Sequence, residues 1–308
     1  MRIAVVGVGH LGRHHARILS ECPDVTLTAV VDVNESRARE VATERRTTPF
    51  TDWREILYSV DAVTIAAPTQ AHLEIAQAFL ERGVHVLVEK PMTPTIADAD
   101  RLLELARRRE VVLAVGHTER FNPAVERVRS LVREPRFIEV HRLGTFPERS
   151  LDIDVVFDLM IHDLDVVLNL VGDEVSAIEA VGVPVLTPRV DIANVRLRFS
   201  RGCIANLTAS RISRDRVRKI RFFQRDAYLS IDYAAQEVEM WRLVPVAAQA
   251  PRIEGGKLDV VREEPLKREL ADFVAAIREK REPVVTGAQG RAALHLAEQV
   301  VARMEMAT

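Results

Sequence analysis

Residues 3–12 read I-A-V-V-G-V-G-H-L-G, an apolar run that breaks into G-x-G-x-x-G at Gly7, Gly9 and Gly12. This pattern leaves little choice of fold. One glycine makes a tight turn, one lets backbone approach a pyrophosphate, and one lets a helix pack closely on the strand. The phosphates then rest on the free N–H groups of a helix N-terminus. Asp32 stands twenty residues past Gly12, where the next strand-like run, 25–31, ends. A carboxylate there accepts hydrogen bonds from both ribose hydroxyls and repels a 2′-phosphate, which favours NAD over NADP. A turn or helix-capping aspartate is the plainer alternative. Arg37 and Arg39 also stand nearby, and a guanidinium neutralises phosphate.

The alternation continues through the first 120 residues. Apolar runs at 2–6, 25–31, 61–67, 84–88 and 111–115, with a short one near Phe50, are separated by helical periods at 11–20, 34–44, 71–82 and 96–109. Strands spaced by helices of this length imply parallel βαβ units. After Asn122-Pro123 the pattern changes to a helix at 124–133, a strand at 136–145, a loop rich in Pro147, Glu148 and Arg149, and a long helix at 153–171 closed by Gly172. Strands then follow at 175–185, 190–199, 203–210, 217–224, 227–232 and 236–242, with short turns that argue for an antiparallel sheet. An irregular connection at 245–256 and helices at 266–280 and 289–304 complete the chain. The expected class is α/β: an N-terminal Rossmann doubly wound parallel sheet over 1–122, then a C-terminal α+β domain over 123–308 with a large, mostly antiparallel sheet. An open face on that sheet needs cover, so a homodimer or homotetramer is expected.

Composition narrows the partners. A formal charge of −2 gives no general attraction to nucleic acid, and 5% aromatics leave few rings for stacking bases. Cys22 and Cys203 form no C-x-x-C pattern, so neither a redox pair nor a zinc site is expected. No apolar run approaches the ~20 residues of a spanning helix, and the chain enters a strand at Ile3 without a leader pattern. A cytoplasmic protein acting on a small molecule is the expectation, with no metal.

Chemistry concentrates in three places. Lys90 follows the apolar run 84–88, and a charge at the carboxyl end of a parallel strand points into the ligand crevice. A solvated strand-end lysine is the plain alternative. His72, His117, Arg120 and Asn122 come from other strand ends or the helices after them and are candidates for the same crevice. On the 153–171 helix, Asp158, His162, Asp165 and Asn169 are spaced to share one face. A carboxylate four residues before a histidine can hold one imidazole nitrogen and leave the other for proton transfer. A solvated polar stripe is the alternative, and a metal site lacks a second histidine four residues on. The segment 211–225 carries Arg211, Arg214, Arg216, Arg218, Lys219, Arg221 and Arg225, either a solvated sheet face or an anion site for a nucleotide-linked substrate.

Several strings together resemble the Gfo/Idh/MocA family: the glycine motif, A-A-P-T-Q-A-H at 66–72, V-E-K-P at 88–91, G-H-T-E-R-F-N-P at 116–123, D-L-M-I-H-D at 158–163 and P-L-K-R-E-L-A-D-F at 265–273. The resemblance runs in order over nearly the whole chain. It implies an NAD(P)-dependent sugar or polyol oxidoreductase. It also implies Lys90, Asp158 and His162 as the catalytic group, and Gly7, Gly9, His10, Leu11, Gly12, Asp32, Pro68, Thr69, His72, Glu89 and Lys90 at the cofactor. His117, Arg120, Asn122 and Arg211 are expected at the substrate. Met160 departs from the glycine of many members and would narrow the floor under the substrate. Among family members the 116–123 and 158–163 strings look most like bacterial enzymes that act on UDP-linked amino sugars. That implies oxidation of the 3-hydroxyl of a UDP-linked N-acetyl amino sugar, used for diamino-sugar lipid A. A free-sugar or cyclitol dehydrogenase and a non-catalytic NAD-binding regulator are the alternatives. Which of Lys90 and His162 takes the hydroxyl proton is open at this level. Either way, both groups must reach a common carbinol carbon.

Overall fold

The computed structural model describes residues 1–146, 153–246 and 250–306, so Pro147, Glu148 and Arg149 lie outside it. The chain divides into two compact units: Met1–Thr118 with Glu264–Leu294, and Glu119–Glu263 with His295–Thr308.

In the first unit the elements are β1 (Arg2–Val6), α1 (Gly12–Glu21), β2 (Thr26–Val31), α2 (Glu35–Arg45), β3 (Thr48–Phe50), β4 (Ala62–Ile65), α3 (His72–Leu80), β5 (His85–Glu89), α4 (Ile96–Arg109) and β6 (Leu113–Gly116). All six strands are parallel neighbours in the order β3-β2-β1-β4-β5-β6. This is the doubly wound order, whose switch point lies between β1 and β4. Strands β1, β4 and β5 are buried almost end to end because helices cover both faces of such a sheet. Side chains fix where helices begin. Asn34 accepts from the Arg37 N–H at the start of α2, and Thr95 accepts from the Asp98 N–H at the start of α4.

The second unit contains α5 (Pro123–Val128), β7 (Phe137–Leu143), α6 (Ile161–Val171), β8 (Val175–Val183), β9 (Ile192–Phe199), β10 (Ile204–Ser210), β11 (Val217–Phe223), β12 (Ala227–Asp232), β13 (Glu237–Val244) and β14 (Arg252–Leu258). The last elements are α7 (Pro265–Glu279), α8 (Gly287–Ala302) and β15 (Met304–Met306). Among the described residues the second sheet has nine strands in the order β14-β13-β12-β11-β7-β10-β9-β8-β15. It is antiparallel except at β10–β7 and β15–β8. Alternate burial along β7, β9 and β10 gives the sheet one packed face.

Three expectations need correction. The stretch 245–256, expected to be irregular, contributes β14, which pairs antiparallel with β13 from Val238↔Leu258 to Val244↔Arg252. The helix expected over 153–171 starts with a π-helical turn, Val156–Met160, before α6. Finally, residues 264–294 belong with the first unit and not with the second, as a boundary at 122 would require. The reason is apolar: Leu266, Leu270, Phe273 and Val274 of α7 join the core cluster of Ile3, Val5, Leu19 and Val30.

Candidate active site

The glycine turn lies at the switch point. Its ends are fixed by the Gly7 N–H bonding the Val31 carbonyl and the Ala66 N–H bonding the Val6 carbonyl, both at 2.8 Å. Gly7 has φ +85°, and a Cβ there would fall 2.7 Å from the backbone of Ala66 and Ala67. A Cβ on Gly12 would collide with the Gly7 carbonyl oxygen. Gly9 differs, since a Cβ there would meet nothing within 4 Å. Two glycines therefore allow chain to pack on chain, and the third leaves an open approach beside the start of α1, which suits a pyrophosphate. Next to it, Asp32 accepts the Val8 N–H at 3.0 Å and the Asn34 N–H at 2.9 Å, with the Arg37 guanidinium at 3.3 Å. Asp32 thus braces the glycine turn at the position where a ribose carboxylate is expected. His10 is exposed and its ring meets His14 edge-on. Leu11 is the N-cap residue of α1.

Lys90 follows the last residue of β5 and is half-buried; the Lys90–Pro91 peptide is cis. Pro68 is exposed and Thr69 half-buried, in the short turn ahead of α3. His72, expected at the cofactor, is instead buried and spans two backbone carbonyls, those of Pro91 (2.9 Å) and Ala67 (2.8 Å). It ties the turn after β4 to the turn after Lys90. Burial pushes its pKa down, against the pull of these carbonyls and of Glu89. His117 is buried one residue past β6. His15, Glu89 and Glu269 meet in the interior, with their ligand atoms all within 4.8 Å of one another.

In the second unit, Asp158 sits in the π-helical turn and His162 in the first turn of α6, both half-buried. Such turns recur at functional sites. The residues flanking His162 anchor it. Asp163 takes a two-pronged contact from Arg142 on β7, at 2.6 and 2.9 Å, and Asp165 pairs with Arg120 at 3.3 Å. Arg142 also donates to Glu119 at 3.0 Å and lies over the ring of Tyr233. Burial pulls down the Arg142 pKa, but Asp163 and Glu119 outweigh it and hold the guanidinium above its ordinary value. Burial pushes the Asp163 pKa up, opposed by Arg142. The expected polar face is therefore split, because Asp165 is buried in an ion pair while Asp158 and His162 are only half-buried.

Three of the expected substrate residues face other duties. Arg120 is engaged by Asp165. Asn122 caps α5, accepting the Ala124 N–H at 3.1 Å while its amide donates to the Tyr233 carbonyl. Arg211 is 1% exposed and spends its guanidinium on Asp191, Thr187 and the Ile153 carbonyl. A guanidinium so enclosed cannot turn to a ligand without losing several charged hydrogen bonds. Met160 is fully buried, so it packs inside the unit rather than forming a floor. The sequence reading missed His15, Arg142, Asp163 and Glu269. One signal for Glu269 was present: it falls on the stripe of Leu266, Leu270 and Phe273, where a charge is out of place.

Comparisons with known proteins fit this arrangement. Residues 1–117 match the GFO_IDH_MocA family model, described as an oxidoreductase family with an NAD-binding Rossmann fold, and residues 125–229 match the GFO/IDH/MocA C-terminal domain. A UDP-N-acetylglucosamine 3-dehydrogenase of Acidithiobacillus ferrooxidans is 39% identical over 307 residues, 99% of this chain and 97% of the relative. A solved structure of that enzyme superposes with TM-score 0.93, covering 99% of this chain and 98% of the other at 39% identity. A myo-inositol 2-dehydrogenase of Thermotoga maritima is 30% identical over 229 residues, 68% of this chain and 69% of the relative.

Proposed function

The chain belongs to the GFO/IDH/MocA oxidoreductase family, and we propose that it oxidises the 3-hydroxyl of UDP-N-acetylglucosamine to the 3-keto sugar with NAD. The observation that carries this reading is the 39% identity to a UDP-N-acetylglucosamine 3-dehydrogenase across 99% of the chain. The likeness to inositol dehydrogenases is lower and covers about two thirds of the chain, which ranks a cyclitol substrate second.

NAD, when bound, accepts the hydride from the carbinol carbon. The protein has to manage the charge and the proton. In this reading His162 takes the hydroxyl proton, and Asp158 keeps its imidazole in the tautomer that leaves a nitrogen free for that proton. Lys90, as a cation, stabilises the alkoxide that develops as the hydride departs. The Asp163–Arg142 and Asp165–Arg120 pairs support the assignment of His162, since they fix the helical turn that carries it. The proton-acceptor role gives a pH test. Activity falls on the acid side, where a protonated His162 can no longer take the hydroxyl proton.

The deciding experiment is NADH absorbance with a panel of UDP-sugars against free sugars and inositols. Turnover on UDP-N-acetylglucosamine is expected, and turnover on inositol alone overturns the reading. Lys90→Met is expected to lower turnover by ~100-fold or more, as removal of a transition-state charge partner does, with NAD binding intact. We further assign the 3-keto product to amino-group transfer on the way to a diamino sugar of lipid A, in the cytoplasm. The second unit would pair with further copies through its sheet, where Trp241, Leu243 and Ile253 are exposed; light scattering of the eluted protein reads the assembly. Among the described residues no helix is long and apolar enough to cross a membrane.

A further inference from the structure

We propose that His15 and Glu269 are positioning residues for Lys90: His15, from α1, bonds the Glu89 carboxyl group, and Glu269, from α7, lies beside it and holds a proton, which together fix the strand end that carries the lysine. This rests on the assignment of Lys90 to turnover made above.

The geometry comes first. Glu89 is the last residue of β5 and stands opposite Gly116 of β6. A Cβ on Gly116 would fall 2.6 Å from Glu89 Oε1, so the carboxyl group lies across the neighbouring strand in the space the glycine leaves. His15 Nε2 is 3.1 Å from the same oxygen. Glu269 closes the trio, and His15, Glu89 and Glu269 are 0%, 5% and 2% exposed. Two carboxyl groups and one imidazole enclosed this closely cannot all ionise freely. The histidine offers at most one positive charge, and two carboxylates this close in a dry interior repel strongly. At least one proton must remain among them.

The surroundings say where. Other groups that act on or feel the trio are the Thr118 hydroxyl and Asp272, one turn on in α7, which act on Glu269, and His72 of α3, which feels the Glu89 charge. Burial first, then the Glu89 and Asp272 charges, push the Glu269 pKa well above its ordinary value, while the Thr118 hydroxyl pulls against them. Glu269 is therefore the member that keeps the proton, and His15 bonds Glu89, the residue before Lys90. None of the three has to touch the sugar. Their effect passes through the main chain from Glu89 to Lys90, where a displacement of ~1 Å can cost on the order of 100-fold in rate.

Glutamine is the uncharged isostere of a protonated glutamate, and this supplies the test. Infrared spectra at neutral pH should show the carbonyl stretch of a protonated carboxyl group in the wild-type protein and lose it in Glu269→Gln. In steady-state assays with UDP-N-acetylglucosamine and NAD, Glu269→Gln should keep kcat within about twofold, whereas Glu269→Leu should lose ~10–100-fold in kcat with NAD affinity unchanged. The proposal is overturned if the band survives Glu269→Gln, or if the folded Gln variant loses as much kcat as the Leu variant. It is also overturned if the wild-type protein carries one divalent metal per chain that Glu269→Gln removes, since one histidine and two carboxylates are also a metal-ligand set. The infrared arm reads the proton without any substrate. A failed band therefore sinks this proposal, and inactivity on every sugar sinks the functional reading.

Discussion

The two units bury charge in opposite ways. Among the described residues of the second, each buried arginine has an acid: Arg142 with Asp163 and Glu119, Arg120 with Asp165, Arg211 with Asp191. In the first, the buried cluster has more acids than bases, with Glu89 and Glu269 around His15. A paired site holds its form by Coulomb attraction and hydrogen bonds, and it fails when one member is removed. A carboxyl-rich site holds its form by keeping a proton, so what disturbs it is a change of pH.

The largest effect expected from this contrast is on the paired side. Arg142→Met leaves Asp163 buried without its partner and should cost about 3–5 kcal/mol in chemical unfolding. Adding Asp163→Leu should restore much of the loss, and a double variant as unstable as the single one would show that the pair is more than self-compensating.

The next effect is a difference in the sign of pH dependence. Burial raises the Asp191 pKa, but the Leu186 N–H, the Arg211 guanidinium and the Val185 N–H overcome it and hold the carboxylate well below its usual range. Its contribution is therefore complete above the unfolded value of ~3.9 and is lost as pH falls below it. Glu269 has the opposite shift. Above its unfolded value of ~4.3 the native chain keeps a proton that the unfolded chain releases, so stability falls as pH rises, by up to ~1.4 kcal/mol per pH unit. Unfolding titrations should show Asp191→Asn flattening the acid limb. Glu269→Gln should remove the decline above pH ~4.3. If both variants alter the same limb, the contrast fails.

The smallest effect concerns Asn122. With its side chain capping α5, Asn122→Ala should cost ~1 kcal/mol. It should also leave KM for the sugar unchanged, which a substrate contact would not.

These cases also show what was legible in the sequence. The positions of Gly7, Gly9, Gly12 and Asp32 in the chain's fold were legible because their spacing follows from one βαβ unit, and that of Lys90 because it ends an apolar strand run. The second unit's strands were legible from alternation and turns, although β14 was missed inside the stretch 245–256 that was expected to be irregular. The partners of buried charges were not legible. Arg142 meets Asp163 only because β7 and α6 are brought together across 21 residues, and Glu269 meets Glu89 across the length of the second unit. Sequence displays the charged residue but not its neighbour, so Arg120, Asn122 and Arg211 looked like groups for a ligand. The π-helical turn at Val156–Met160 was likewise hidden, since periodicity is indifferent to one residue of extra winding.

The return of residues 264–294 to the first unit has a consequence for biogenesis. The apolar cluster around Ile3 and Val5 waits for Leu266 and Phe273, so a ribosome must synthesise the whole intervening segment 119–263 before these strands gain their final cover. Cutting after residue 118 to obtain a free-standing nucleotide module should give an insoluble fragment, while a fusion that appends 264–294 should dissolve.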